Sequence, residues 1–120
     1  MPVGPSRVVA VVGDLIFRSR IRQTAEALGV PLTVAADEAA LRKALDGDPV
    51  GLVVVDLAVG SIDPAAAIAL ARAHGAERTI AFVSHVDEES KRRAAEAGCE
   101  EILPRSAFTR DLPRILRGGG

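Results

Sequence analysis

The chain has 120 residues, 48% of them hydrophobic, with 15 Lys and Arg against 16 Asp and Glu. That is one ordinary domain with material for a sizeable core; with no Trp or Tyr and only 3 Phe, the core must be Val, Leu, Ile and Ala. The near-zero net charge excludes a global pull towards nucleic acid or anionic membrane, the lone Cys99 excludes an internal disulfide, and the 2 distant His residues offer no zinc site.

Met1 to Ser6, with two Pro and a Gly, reads as a flexible lead-in. Arg7 to Val12 is a first strand, apolar enough to be buried on both faces. The apolar N-terminal stretch is broken at Gly13 and Asp14, is too short to span a bilayer and lacks a cleavage pattern, so a cytoplasmic, soluble chain is expected. GDLIFRS reads as a loop, and a helix follows from about Phe17 to Leu28. Phe17, Ile21, Ala25 and Leu28 share one face of it, and Gly29 ends it. Val30 to Ala35 is a short second strand whose Pro31 suits an edge. Asp37 caps a second helix with Ala40, Leu41, Ala44 and Leu45 inward. After the Gly47-Asp48-Pro49 turn comes VGLVVVDLAVG, Val50 to Gly60, an apolar β-branched run with one carboxylate, Asp56. It reads as the central strand of a parallel sheet. Leu57 to Pro64 is loop and Ala65 to Ala73 a third helix. Arg78 to Val83 is a fourth strand ending at Ser84, with His85 beside it read as a rim residue without chemistry. Asp87 caps a fourth helix carrying Lys91, Arg92 and Arg93, and Glu100 to Leu103 is a fifth strand. PRSAF follows, and Thr109 caps a last helix that tolerates an early Pro113. The end, Gly118 to Gly120, reads as a flexible tail.

Strands alternating with helices demand a parallel α/β sheet with right-handed crossovers and helices on both faces. For five strands the expected architecture is a flavodoxin-like (βα)5 three-layer sandwich with strand order 2-1-3-4-5, spanning 7–117. Ligands in such sheets sit at the carboxyl ends of the strands, at the switch point between strands 1 and 3. That brings Asp14 and Asp56 to one crevice, with Ser84 and Arg105 leaning over it. A nucleotide or other small-ligand binder is the weakest reading, because GDLIFRS is neither a dinucleotide fingerprint nor a phosphate loop.

Taken together, VVGDLIFRSRI, VGLVVVDL, IAFVSH and AGCEEILPRSAFTRDL, in this order from Arg7 to Leu116, resemble a response-regulator receiver domain of the chemotaxis type. The resemblance implies a two-component system, in which a histidine kinase passes a phosphoryl group to an Asp at the end of strand three with the help of Mg²⁺. That acceptor would be Asp56, with Asp14, Asp56 and the carbonyl of Ala58 as metal ligands and Ser84 binding the phosphoryl oxygens. Three departures mark an atypical or pseudo-receiver. One of two expected acids after strand one is Gly13. The usual Lys after strand five is Arg105, followed by Ser106 instead of Pro. The aromatic switch position in strand five is Ile102. Losing one acid is expected to leave only weak Mg²⁺ binding. Arg105, a planar fork suited to carboxylates, is expected to clamp Asp56.

These departures favour a signalling domain that acts mainly by protein–protein interaction and is not an enzyme. The alternative is a working phosphorelay acceptor on Asp56, with self-phosphorylation and dephosphorylation as its only catalysis. The implied partners are a histidine kinase or another signalling protein. Arg110, Arg114 and Arg117 are spaced for one face of the last helix. By the same resemblance, helix 4, strand 5 and helix 5 form the face for output or a homodimer. Neither membrane nor direct nucleic-acid binding is expected. No output domain follows the last helix, so the chain is either self-contained or a piece of a longer regulator.

Overall fold

The computed structural model describes residues 7–84 and 87–118. The predicted lead-in, His85 and the last two tail residues lie outside the described residues. The elements are β1 (Arg7–Val11), α1 (Leu15–Leu28), β2 (Leu32–Val34), α2 (Glu38–Leu45), β3 (Val50–Asp56), α3 (Pro64–Ala73), β4 (Arg78–Val83), α4 (Glu88–Glu96), β5 (Glu101–Pro104), α5 (Arg105–Arg110) and α6 (Leu112–Leu116). The five strands form one parallel sheet in the order β2-β1-β3-β4-β5, as the alternation predicts.

Every residue of β3 is buried, which is why that strand carries no polar side chain before its last position. Its side chains alternate between two layers. Val53 and Val55, with Val9, Val11 and Ala81, face Leu41, Ile68, Ala71 and Ala94 of α2, α3 and α4. Leu52 and Val54, with Val8, Ala10, Ile80 and Phe82, face Phe17, Ile21 and Ala25 of α1 and Phe108, Leu112 and Ile115 of α5 and α6. Three aromatic rings meet in this second layer: Phe82 lies 4.7 Å from Phe108 and 4.9 Å from Phe17, centroid to centroid. They gather the chain's whole aromatic content beneath the carboxyl ends of β3 and β4.

Local signals explain most boundaries. Asp37 and Asp87 accept the N–H groups of Ala40 and Ser90 as N-caps. Gly29 ends α1 at φ 70°, a left-handed conformation that disfavours a side chain. Two expectations need correction. The segment GDLIFRS is not a loop: α1 begins at Leu15, because Asp14 caps it with one carboxylate oxygen. The last helix is not one helix capped by Thr109. The Thr109 hydroxyl donates to the carbonyl of Arg105 inside α5, and the chain breaks at Asp111 before resuming as α6. Pro113 is the cause, since it has no N–H to give the carbonyl four residues earlier. Gly118, assigned to the tail, still donates to the carbonyl of Ile115. None of the helices among the described residues is long and apolar enough to cross a membrane.

The ring cluster sets the first prediction. Phe82 is fully buried and touches both other rings. Phe82→Ala is expected to cost about 3–5 kcal/mol of unfolding free energy, read as a lower urea midpoint with an unchanged slope.

Candidate functional site

Asp14, Asp56, Ser84 and Arg105 emerge at the carboxyl edge of the sheet. Asp56 is the last residue of β3 and pairs in register with Phe82 of β4. Asp14 follows β1, Ser84 follows β4, and Arg105 is the first residue of α5, directly after β5. The strand order does this work: β1 and β3 are neighbours, so the ends of both open into one crevice.

The centre of the crevice is a guanidinium. Arg105 Nη2 donates to Asp14 Oδ2 at 3.0 Å, and Nη1 contacts Ser84 Oγ at 3.5 Å. Its carbon Cζ lies 4.3 Å from the centroid of the Phe17 ring, so the cation is stacked as well as paired. The expectation that Arg105 clamps Asp56 is therefore corrected: the fork closes on Asp14, and Asp56 feels Arg105 only through its charge. The opposite end of the Asp14 carboxylate is also engaged. Oδ1 accepts the N–H groups of Ile16 at 2.9 Å and Phe17 at 3.1 Å. Asp14 thus ties the start of α1 to the start of α5.

Asp56 is 7% exposed. Its Oδ1 accepts the Ala58 N–H at 2.9 Å, and Oδ2 accepts no hydrogen bond among the described residues. The two carboxyls are pushed apart in acidity. Burial raises the Asp56 pKa above the usual carboxylate value, and the charge of Asp14 adds to this against the lowering by the Ala58 N–H and Arg105. The Phe17 N–H and then the Arg105 guanidinium hold the Asp14 carboxyl below its usual value.

Gly13, where a second acid was looked for, is exposed and not sterically required. A Cβ there would meet only Val59 Cγ2, at an ordinary 3.7 Å. Ile102 is half-buried against the α2–α3–α4 layer, opposite Ala81 in register. The three arginines are not on one helix. Arg110 ends α5 and Arg114 lies in α6, and both pair with Asp111, at 3.2 Å and 3.1 Å. Arg117 sits at the far end of the sheet, beside Val8, Leu52 and Arg78. The basic residues of α4 are paired too: Lys91 with Glu88, Arg92 with Glu89 and Glu96, and Arg93 with Asp63. Cys99 is half-buried and free, and burial raises its pKa, as suits a small apolar residue. Among the described residues, no group of three or more His, Cys, Asp or Glu is placed to hold a metal ion.

Sequence reasoning missed two contributors. Phe17 was read only as a core residue, yet it is the platform for Arg105. Leu15 and Ile16, 72% and 80% exposed, follow Asp14 in the first turn of α1 as unburied apolar residues. The signal available for them was Asp14 itself, a residue type favoured just before a helix.

No family model matches the chain, and no curated protein does. Its fold is that of receiver domains. A CheY-like response-regulator receiver domain from Methanospirillum hungatei superposes with a TM-score of 0.82 at 14% identity, over 97% of this chain and 94% of that one. The receiver domain of a sensor histidine kinase from Pseudomonas aeruginosa, which has magnesium coordinated in its active-site cleft, gives 0.79 at 19% identity, over 98% and 100%. A response regulator from Burkholderia pseudomallei with a phosphorylated aspartic acid and a calcium ion gives 0.79 at 16% identity, over 92% of this chain and 66% of that one.

The acidity of Asp56 yields the second prediction. A carboxyl whose folded pKa is raised contributes stability below its unfolded pKa and loses it as pH rises through the folded pKa. In its ionised form Asp56 therefore weakens the fold. Asp56→Asn, which keeps the acceptor for Ala58, is expected to raise the Tm at pH 7. The gain should shrink as pH falls towards the ordinary carboxylate value of 3.8, and calorimetric melts across that range check it.

Proposed function

We propose that this chain is a cytoplasmic receiver-like signalling domain that acts mainly by binding other proteins, with a degenerate phosphorylation site. The observation that carries this reading is the Arg105–Asp14 pair, whose 3.0 Å contact satisfies within the protein the charge that a metal would otherwise neutralise. The partners that fit are a histidine kinase or another signalling protein. The face of α4, β5 and α5 is a candidate contact. Its arginines Arg92, Arg93 and Arg110 are each paired with an acid, which suits a second copy of the chain better than a purely acidic partner.

A divalent cation fits the crevice only weakly. Asp14, Asp56 and the carbonyl of Ala58 would hold it, and when bound it would supply positive charge for a transferring phosphoryl group. Two of the four carboxylate oxygens of Asp14 and Asp56 are occupied by backbone N–H donors and a third by Arg105. The Pseudomonas aeruginosa receiver domain of the same fold has magnesium coordinated in its active-site cleft.

A second reading, a working phosphoacceptor, is favoured by one feature: Asp56 Oδ2 is left without a hydrogen-bond donor. In that case an Asp56 oxygen bonds to the donor phosphorus as the donor's P–N bond (phosphohistidine) or P–O bond (acetyl phosphate) breaks, the leaving nitrogen or oxygen takes the electron pair, and Ser84 and Arg105 line the phosphoryl oxygens. No other catalysis is proposed.

Incubation with acetyl phosphate and Mg²⁺, followed by intact mass measurement, separates the two. The wild-type chain is expected to remain mostly unmodified. Gly13→Asp, which restores the absent acid in open space, is expected to increase a phosphoryl adduct that disappears when Asp56→Asn is added. A stoichiometric wild-type adduct that Asp56→Asn abolishes would establish the phosphoacceptor instead.

A further inference from the structure

We propose that Arg105 is a built-in counter-cation that competes with a divalent metal ion for Asp14, and so works as a latch between α5 and α1. The proposal rests on the crevice being a weak cation site.

Three observations converge on it. First, the guanidinium already fills the role of the cation: it lies 3.0 Å from Asp14 Oδ2, the oxygen that the helix cap leaves over. A divalent ion sharing that oxygen would meet a fixed like charge at close range, in a crevice where Asp56 is almost buried. Second, Arg105 is held in place by more than charge. Phe17 supports its face at 4.3 Å, and Phe17 in turn packs on Phe82 and Phe108. The latch is thus rooted in the core layer under α1 and α5. Third, the two ends belong to different helices. Asp14 caps α1 and Arg105 opens α5, 91 residues apart in sequence. Releasing the pair removes the polar tie between the first turns of α5 and α1 and leaves the Phe17–Phe108 ring contact beneath it.

The consequence is a route from the crevice to the surface that does not need a switch residue at Ile102. Arg105 also lines an open groove between α1 and α5, together with Ile16, Phe17, Arg20, Thr109 and Arg110. A cation that takes Asp14 drives Arg105 off Phe17 and changes the charge and shape of that groove. Without the cation, the groove is held in the latched form.

Mg²⁺ titration of the full chain tests the latch by calorimetry and by the Nε–Hε resonance of Arg105. Arg105→Gln is expected to bind Mg²⁺ about tenfold more tightly than wild type. Arg105→Lys, which keeps the charge but not the planar fork, should fall between. In the wild-type chain the Arg105 resonance should move as Mg²⁺ saturates. Equal affinity of the wild type and Arg105→Gln, including no binding by either, overturns the proposal. An Arg105 resonance that stays fixed through saturation does the same, and this readout needs no variant. Phosphoryl uptake enters neither measurement, so the latch and the proposed function can fail separately.

Discussion

The burial of β3 on both faces constrains everything else in this molecule. Seven consecutive residues are buried, so the strand carries only apolar side chains until its last position. The first position where a carboxylate becomes affordable is its carboxyl end, and Asp56 is there. The neighbours of β3 in the sheet, β1 and β4, then decide what surrounds that carboxylate. Their ends deliver Gly13 and Asp14 on one side and Ser84 on the other.

The two aspartates of the crevice illustrate how local bonding divides one type of group into two states. Asp14 is exposed, accepts two backbone N–H groups and faces a guanidinium, so its charge is supported from three sides. Asp56 is almost buried and has one N–H donor. Desolvation dominates for Asp56 and hydrogen bonding for Asp14. The site is thus asymmetric before any ligand arrives: its firmly ionised member is the one already paired.

Elements set by neighbouring residues were legible in the sequence. The β3 run shows in its unbroken apolar character, the Asp37 and Asp87 caps in their residue type, and the end of α1 in Gly29. Alternation of strands and helices was sufficient for the sheet order. The failures have two physical sources. Pro113 was judged by whether a helix start tolerates it, when its missing N–H instead splits one helix into α5 and α6. That split separates Arg110 from Arg114 and Arg117, and Asp111 at the break pairs with both Arg110 and Arg114. The partner of Arg105 was the other failure. Choosing between Asp14 and Asp56 depends on how deeply each sits and on where Phe17 puts a flat cation, and no spacing in the chain encodes either.

The charges of the crevice can be counted from its side chains. It presents two carboxylates, Asp14 and Asp56, and the Arg105 guanidinium pairs with one of them. Arginine suits that duty better than lysine, because its planar head bonds Asp14, reaches Ser84 and stacks on Phe17 at once. Of the two carboxylates, the guanidinium takes the exposed one and leaves Asp56 with a single N–H donor.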